Sequence, residues 1–159
     1  MTIVAGVDEA GYGPTLGPMV VTVIAFDVPD GKADSSLWDL LKDAIADDLK
    51  NRKQRLAIRD SKKLYNAKKG LKPLEEAVLS FLWLRDLKIT SFYQLLMGLS
   101  CFNADVIANY PWYANKDYPL PLTTNNSAIL NHVDLLKYVM DKHGVRFCYA
   151  ISCVVTVGE

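Results

Sequence analysis

The sequence predicts an α/β fold, with helices laid against a sheet. Three observations carry this. Two apolar strand-like runs stand at the N-terminus, helical stripes of apolar residues fill the middle, and a long alternating run closes the chain. The first run, "TIVAGVD" from Thr2 to Asp8, reads as a buried strand with apolar residues on both faces. The second, "PMVVTVIAFDV", reads as its hairpin partner across a Gly/Pro-rich link longer than a tight turn. A helix is then predicted from Leu37, Leu40, Leu41, Ala44, Ile45 and Leu49, with Ser35 or Ser36 as N-cap.

After a basic link, "KNRKQRLAIRDSKKL", Pro73 opens a second helix with Leu74, Ala77, Val78, Phe81 and Leu82 on one face. From residue 90 to 126 the pattern degrades. "SFYQLLMGL" suggests a short helix, and "NYPWYANKDYPLPL" an ordered loop. A third helix places Ile129, Val133, Leu136 and Met140 in register, and Gly144 suits its end. In "VRFCYAISCVVTV" alternation puts Val145, Phe147, Tyr149, Ile151, Cys153, Val155 and Val157 on one strand face. Three strands with helices inserted before the third leave a central strand with a bare edge. Residues 1–159 are therefore expected to form one domain, cut short at its C-terminal end.

The 159 residues suffice for one domain with a real core, and half of them are hydrophobic. Eighteen basic residues balance eighteen acidic ones, so any basic surface must be local. The longest apolar stretch, Met19 to Phe26, is too short to span a bilayer. The N-terminus lacks the pattern of a signal peptide. Three cysteines, Cys101, Cys148 and Cys153, make no disulfide framework and read as small buried hydrophobes. A cytoplasmic setting is expected.

Two motifs carry chemistry. In "AGVDEAGYGPTLGP" the adjacent acids Asp8 and Glu9 stand where a strand leaves the core. Neighbouring strand residues point to opposite faces, but a kink at the strand end would let both carboxylates reach one site. Hard divalent cations take oxygen ligands, and two such ions activate water on a phosphodiester. Gly11, Gly13 and Gly17 would let a backbone approach a polyanion. Read alone, the acids fit solvated turn residues equally well. In "DSKKL", Lys62 and Lys63 suit phosphates as point charges, or a solvated loop.

Together the motifs resemble the type 2 ribonucleases H (ribonuclease HII-like), which begin close to "GVDEAGRGPLAGP" and carry "DSKKL" some tens of residues on. Here Gly6 to Pro14, Gly17-Pro18 and Asp60 to Leu64 are the counterparts. The agreement covers the first half of the chain, and residues 90–126 have no counterpart. The resemblance implies an RNase H-like mixed sheet of about five strands with packed helices, three strands being present here. It implies a hydrolase, an endonuclease that cuts the RNA strand of RNA–DNA hybrids or a ribonucleotide embedded in duplex DNA. It also implies Mg2+ or Mn2+ (magnesium or manganese) held by four acids. Asp8 and Glu9 match the first two as catalytic, metal-binding residues. Gly11, Tyr12 and Gly13 would follow the substrate backbone, and Lys62 and Lys63 would hold its phosphates.

There are two departures. Tyr12 replaces the family's arginine, losing a charge and a planar fork of donors. The third and fourth acids lie beyond Glu159, so this stretch alone is expected to bind metal weakly and to be inactive. Asp105, Asp134 and Asp141 are poor substitutes, since the first lies in the unmatched region and the others on a helix's polar side. His132 and His143 read as surface or capping residues. Tyr110, Trp112, Tyr113 and Tyr118 read as a loop folded on the core, or as a stacking platform. The alternative function is a non-catalytic hybrid- or duplex-binding module with the same fold, and a third reading is a structural or interaction protein.

Overall fold

The structure, a computed structural model, describes residues 1–10, 19–47, 50, 52–65, 70–85, 87–99 and 117–155. It is a mixed α/β arrangement. Strands β1 (Thr2–Ala10) and β2 (Met19–Val28) pair antiparallel, from Thr2 opposite Val28 to Ala10 opposite Val20. Helix α1 (Leu37–Leu41) follows, then the two-residue strands β3 (Ile45–Ala46) and β4 (Leu56–Ala57), which pair parallel with each other. Next come α2 (Ser61–Leu64), α3 (Lys72–Trp83), α4 (Phe92–Gly98), α5 (Asn126–His143) and β5 (Arg146–Val155). β5 pairs antiparallel with β2, giving a three-stranded sheet in the order β1–β2–β5. Among the described residues no helix is long and apolar enough to cross a membrane.

Burial shows which sheet face carries the core. Val28, Phe26, Phe147 and Ala150 are buried together with Leu79, Leu82 and Trp83 of α3 and Ile129, Leu136 and Val139 of α5. Phe26, Phe81 and Phe147 meet with ring centroids 5.2–6.0 Å apart, the edge-on and tilted arrangements that aromatic quadrupoles favour. β1 does not share this burial. Of its nine residues only Val4 is partly covered, while Ile3 and Val7 are 57% and 69% exposed. The strand read as buried on both faces is instead the sheet's edge, with no neighbour on its far side among the described residues.

Three helical or strand faces differ from the expected ones. The stripe from Leu37 to Leu49 does not make one helix, since α1 stops at Leu41 and Ala44 and Ala46 offer their carbonyls to the N–H groups of Leu56 and Ile58. The Arg55 guanidinium takes up the Lys42 carbonyl at 3.1 Å, filling a helix-end acceptor that has no intrahelical donor. On α3 the buried positions are Pro73, Glu76, Leu79, Ser80, Leu82 and Trp83, and Val78 is turned outward. On β5 the pairing shifts at Ala25/Phe26, so Cys148 is an extra residue in the ladder. Beyond that bulge the buried residues are Ala150, Ser152 and Val154, opposite in phase to the strict alternation expected from Val145 onward. Cys148 and Cys153 are only half-buried, and Cys101 lies outside the described residues.

The remaining elements follow their local chemistry. Ser36, Ser91 and Asn125 cap α1, α4 and α5, each side chain accepting a backbone N–H from the first turn. Gly144 ends α5 at φ +70°, a left-handed conformation costly for a residue with a Cβ. Segment 117–120 is hydrogen-bonded to the start of α4, with Phe92 N–H donating to the Tyr118 carbonyl and Leu120 N–H to that of Thr90. Tyr118 itself is exposed, and Tyr110, Trp112 and Tyr113 lie outside the described residues.

Glu75 of α3 fixes the turn that leads into α5. Its carboxylate accepts from the N–H groups of Leu122, Thr123 and Thr124 and from the Thr123 hydroxyl. Burial pushes its pKa up, but these donors outweigh burial and hold the carboxyl below its ordinary value. The contribution is therefore complete above the unfolded pKa of about 4.3, and is lost as pH falls through the lower folded pKa. Glu75→Gln is expected to cost about 1–2 kcal/mol at pH 7, at the low end because solvent screens a partly exposed group. Denaturant titrations of both proteins should show that gap closing below about pH 4. A gap independent of pH would contradict the assignment.

Candidate functional site

Asp8 and Glu9 sit near the C-terminal end of β1, both exposed. The Glu9 N–H donates to Asp8 Oδ1 at 2.9 Å. Pairing with β2 runs unbroken past both residues, so the kink expected from the sequence is absent over Asp8–Ala10. The pleat therefore sends the two carboxylates off opposite faces. Asp8 lies opposite Thr22, which lies opposite Ser152, on the face that carries the core. Glu9 lies opposite Val21 and then Cys153, on the other face.

The row Asp8–Thr22–Ser152 is the site's main structural feature. The Thr22 and Ser152 hydroxyls are hydrogen-bonded at 2.9 Å, which satisfies a pair of polar groups on otherwise apolar strands. Neither residue was singled out from the sequence. The available signal was that each interrupts an apolar run, Thr22 in "MVVTVIAF" and Ser152 in "YAISCVV". With the two hydroxyls bonded to each other and Ser152 buried, the exposed Asp8 carboxylate is the oxygen donor of this row open to a hard, partly hydrated cation. It falls short of a complete metal centre. Among the described residues no group of three or more His, Cys, Asp and Glu side chains is placed to hold a metal.

The "DSKKL" segment is a single capped helical turn rather than a loop. The Asp60 carboxylate accepts the Lys62 N–H at 2.9 Å, and the Asp60 carbonyl accepts the N–H groups of Lys63 and Leu64. Leu64 is buried and anchors the turn, while Lys62 and Lys63 are exposed. No hydrogen bond or ion pair joins this turn to Asp8 or Glu9 among the described residues. Gly11, Tyr12, Gly13 and Gly17 lie outside the described residues, as does Asp105. Asp134 and Asp141 are exposed, as expected.

His132 is not the surface residue that the sequence suggested. It is buried beside Glu76, itself 2% exposed, with Nε2 3.9 Å from Glu76 Oε2. Glu76 also accepts from Arg52 at 2.9 Å and from the Thr124 hydroxyl at 3.1 Å. Burial pushes the His132 pKa down, the Glu76 charge pulls it up, and Arg52 pushes it down again. An acid in the first turns of a helix ordinarily reads as solvated, so Glu76 gave no signal in the sequence. His143 is half-buried, and its carbonyl accepts the Lys32 ammonium at 2.9 Å.

The Asp60 cap is what presents the two lysines. Asp60→Ala should cost about 1 kcal/mol and raise amide exchange at Lys62 and Lys63. Unchanged exchange at both amides would mean that Leu64 alone holds the turn.

Comparison with protein families, with curated proteins and with solved structures finds no match to this chain.

Proposed function

We propose that this chain carries the first two acids and the substrate grip of a type 2 ribonuclease H-like nuclease, a class that hydrolyses the RNA strand of RNA–DNA hybrids or a ribonucleotide within duplex DNA. The observation that carries this reading is the pair of motifs, "GVDEAGYGP" with its exposed acids and "DSKKL" with its capped, outward lysines. Asp8 supplies the principal carboxylate, supported on its own face by Thr22 and Ser152. Glu9 starts from the opposite face and reaches the same place only around the open edge of β1. Gly11, Tyr12 and Gly13 follow the sugar–phosphate backbone, and Lys62 and Lys63 neutralise its phosphates. Bound Mg2+ or Mn2+ would lower the pKa of an attacking water and stabilise the leaving oxygen.

The division between the acids favours a second reading. Two carboxylates on opposite faces, with no third acid beside them among the described residues, suit a module that grips the hybrid without cutting it. One set of assays separates the two. In the presence of Mn2+, cleavage of a labelled hybrid that disappears in Asp8→Asn, with binding retained, supports the nuclease. Hybrid binding with neither cleavage nor Mn2+ broadening of the Asp8 amide supports the binding module. Under both readings Lys62→Ala and Lys63→Ala should each lower the slope of log affinity against log salt by about one unit. Unchanged slopes in both variants would remove the lysines from the interface.

A further inference from the structure

The turn Arg52–Arg55 carries a backbone outlier. Lys53 has φ +53°, a left-handed conformation that costs a residue with a Cβ roughly 1 kcal/mol relative to glycine. The turn that holds it is anchored at both ends. The Arg55 N–H donates to the Arg52 carbonyl at 2.8 Å and closes the turn. Arg52 is held from behind by buried Glu76. The Arg55 guanidinium is held by the carbonyls of Arg52, Lys42 and Ile45 at 3.1–3.4 Å. Both arginines thus fix the turn, and the exposed lysine is left at its tip. A tip with no task is better served by Gly or Asn, and strain retained in an over-determined setting points to function.

The turn borders a shallow notch lined by Lys42, Asp43, Lys53, Gln54, Arg55 and Leu135. Asp43 pairs with Lys142 at 3.4 Å, a half-exposed ion pair that offsets its charge in part. Lys42 and Lys53 are exposed and form no ion pair among the described residues. In a chain whose acids and bases balance, this sets three cations, Lys42, Lys53 and Arg55, against one acid, Asp43, around one small concavity.

We propose that the notch binds a phosphate group, held by Lys42 and Lys53, with the charge of the fixed Arg55 guanidinium beside them. Resting on the proposed function, that group is a backbone phosphate of the same duplex, outside the stretch held by Lys62 and Lys63. Lys53→Gly tests the assignment cleanly, because glycine suits φ +53° and keeps the fold. Titrating the 15N-labelled protein with inorganic phosphate, against sodium chloride at equal ionic strength, should shift the amides of Lys42, Lys53, Gln54 and Arg55. Lys53→Gly should lose those shifts while its melting temperature holds or rises. On a long hybrid duplex the same variant should lower the salt slope by about one unit. Phosphate shifts with an unaltered duplex slope would assign the notch to a free phosphate compound. Phosphate shifts with no hybrid binding by the unaltered protein would refute the nuclease reading and leave the notch standing. No phosphate-specific shift at these amides would overturn the proposal, whatever the hybrid assays show.

Discussion

An ionised carboxylate cannot sit in a protein interior unless partners replace the water it has lost, and Glu76 is where this chain meets that requirement. Its two oxygens draw in Arg52 from the basic link and Thr124 from the turn before α5, with Lys72 and His132 at 3.9 Å. Each partner belongs to a different segment. The one charge therefore fixes where the link and the start of α5 lie against α3. The consequence runs along the chain. Arg52 opens the turn that leads into β4, β4 leads to Asp60, and Asp60 caps the turn that presents Lys62 and Lys63. Glu75 next door performs the matching task on Leu122 to Thr124. Two adjacent acids on one helix thus hold the turn before α5, and Glu76 holds the basic link as well.

The sheet has two ends of different character. At one end Phe26, Val28 and Phe147 lie under the helices and close against Phe81. At the other, the same face carries Asp8, Thr22 and Ser152. On this face a single oxygen-bearing row, Asp8–Thr22–Ser152, stands between apolar rows, with Ala10, Val20 and Val154 beyond it, and its carboxylate is exposed. That arrangement gives a carboxylate a rigid base and an open approach. Binding chemistry needs both.

Elements whose signal is local were legible in the sequence. The hairpin of β1 and β2, the short helix after Ser91 and the Asn125-to-Gly144 helix all follow from capping and periodicity. What failed was set by tertiary partners. Ile45 continues a helical stripe, yet its segment became a strand because β4 supplies backbone partners and Arg55 caps the helix that stops at Leu41. The α3 face was misassigned because a buried glutamate contributes nothing apolar to the pattern. One inserted residue, Cys148, reversed the phase of β5, and alternation carries no mark of a bulge. At the candidate site the acids and lysines were legible as motifs. Thr22 and Ser152 were not, because their relation to Asp8 exists only across three strands.

The central proposal is that Asp8, beside the Thr22–Ser152 pair, would be the point where a divalent cation meets this chain. Paramagnetic broadening by Mn2+ reads this directly, amide by amide. The account predicts broadening that begins at Asp8 and Thr22, extends to Ser152, and disappears in Asp8→Asn. Broadening centred elsewhere, or persisting at these amides in Asp8→Asn, would contradict it.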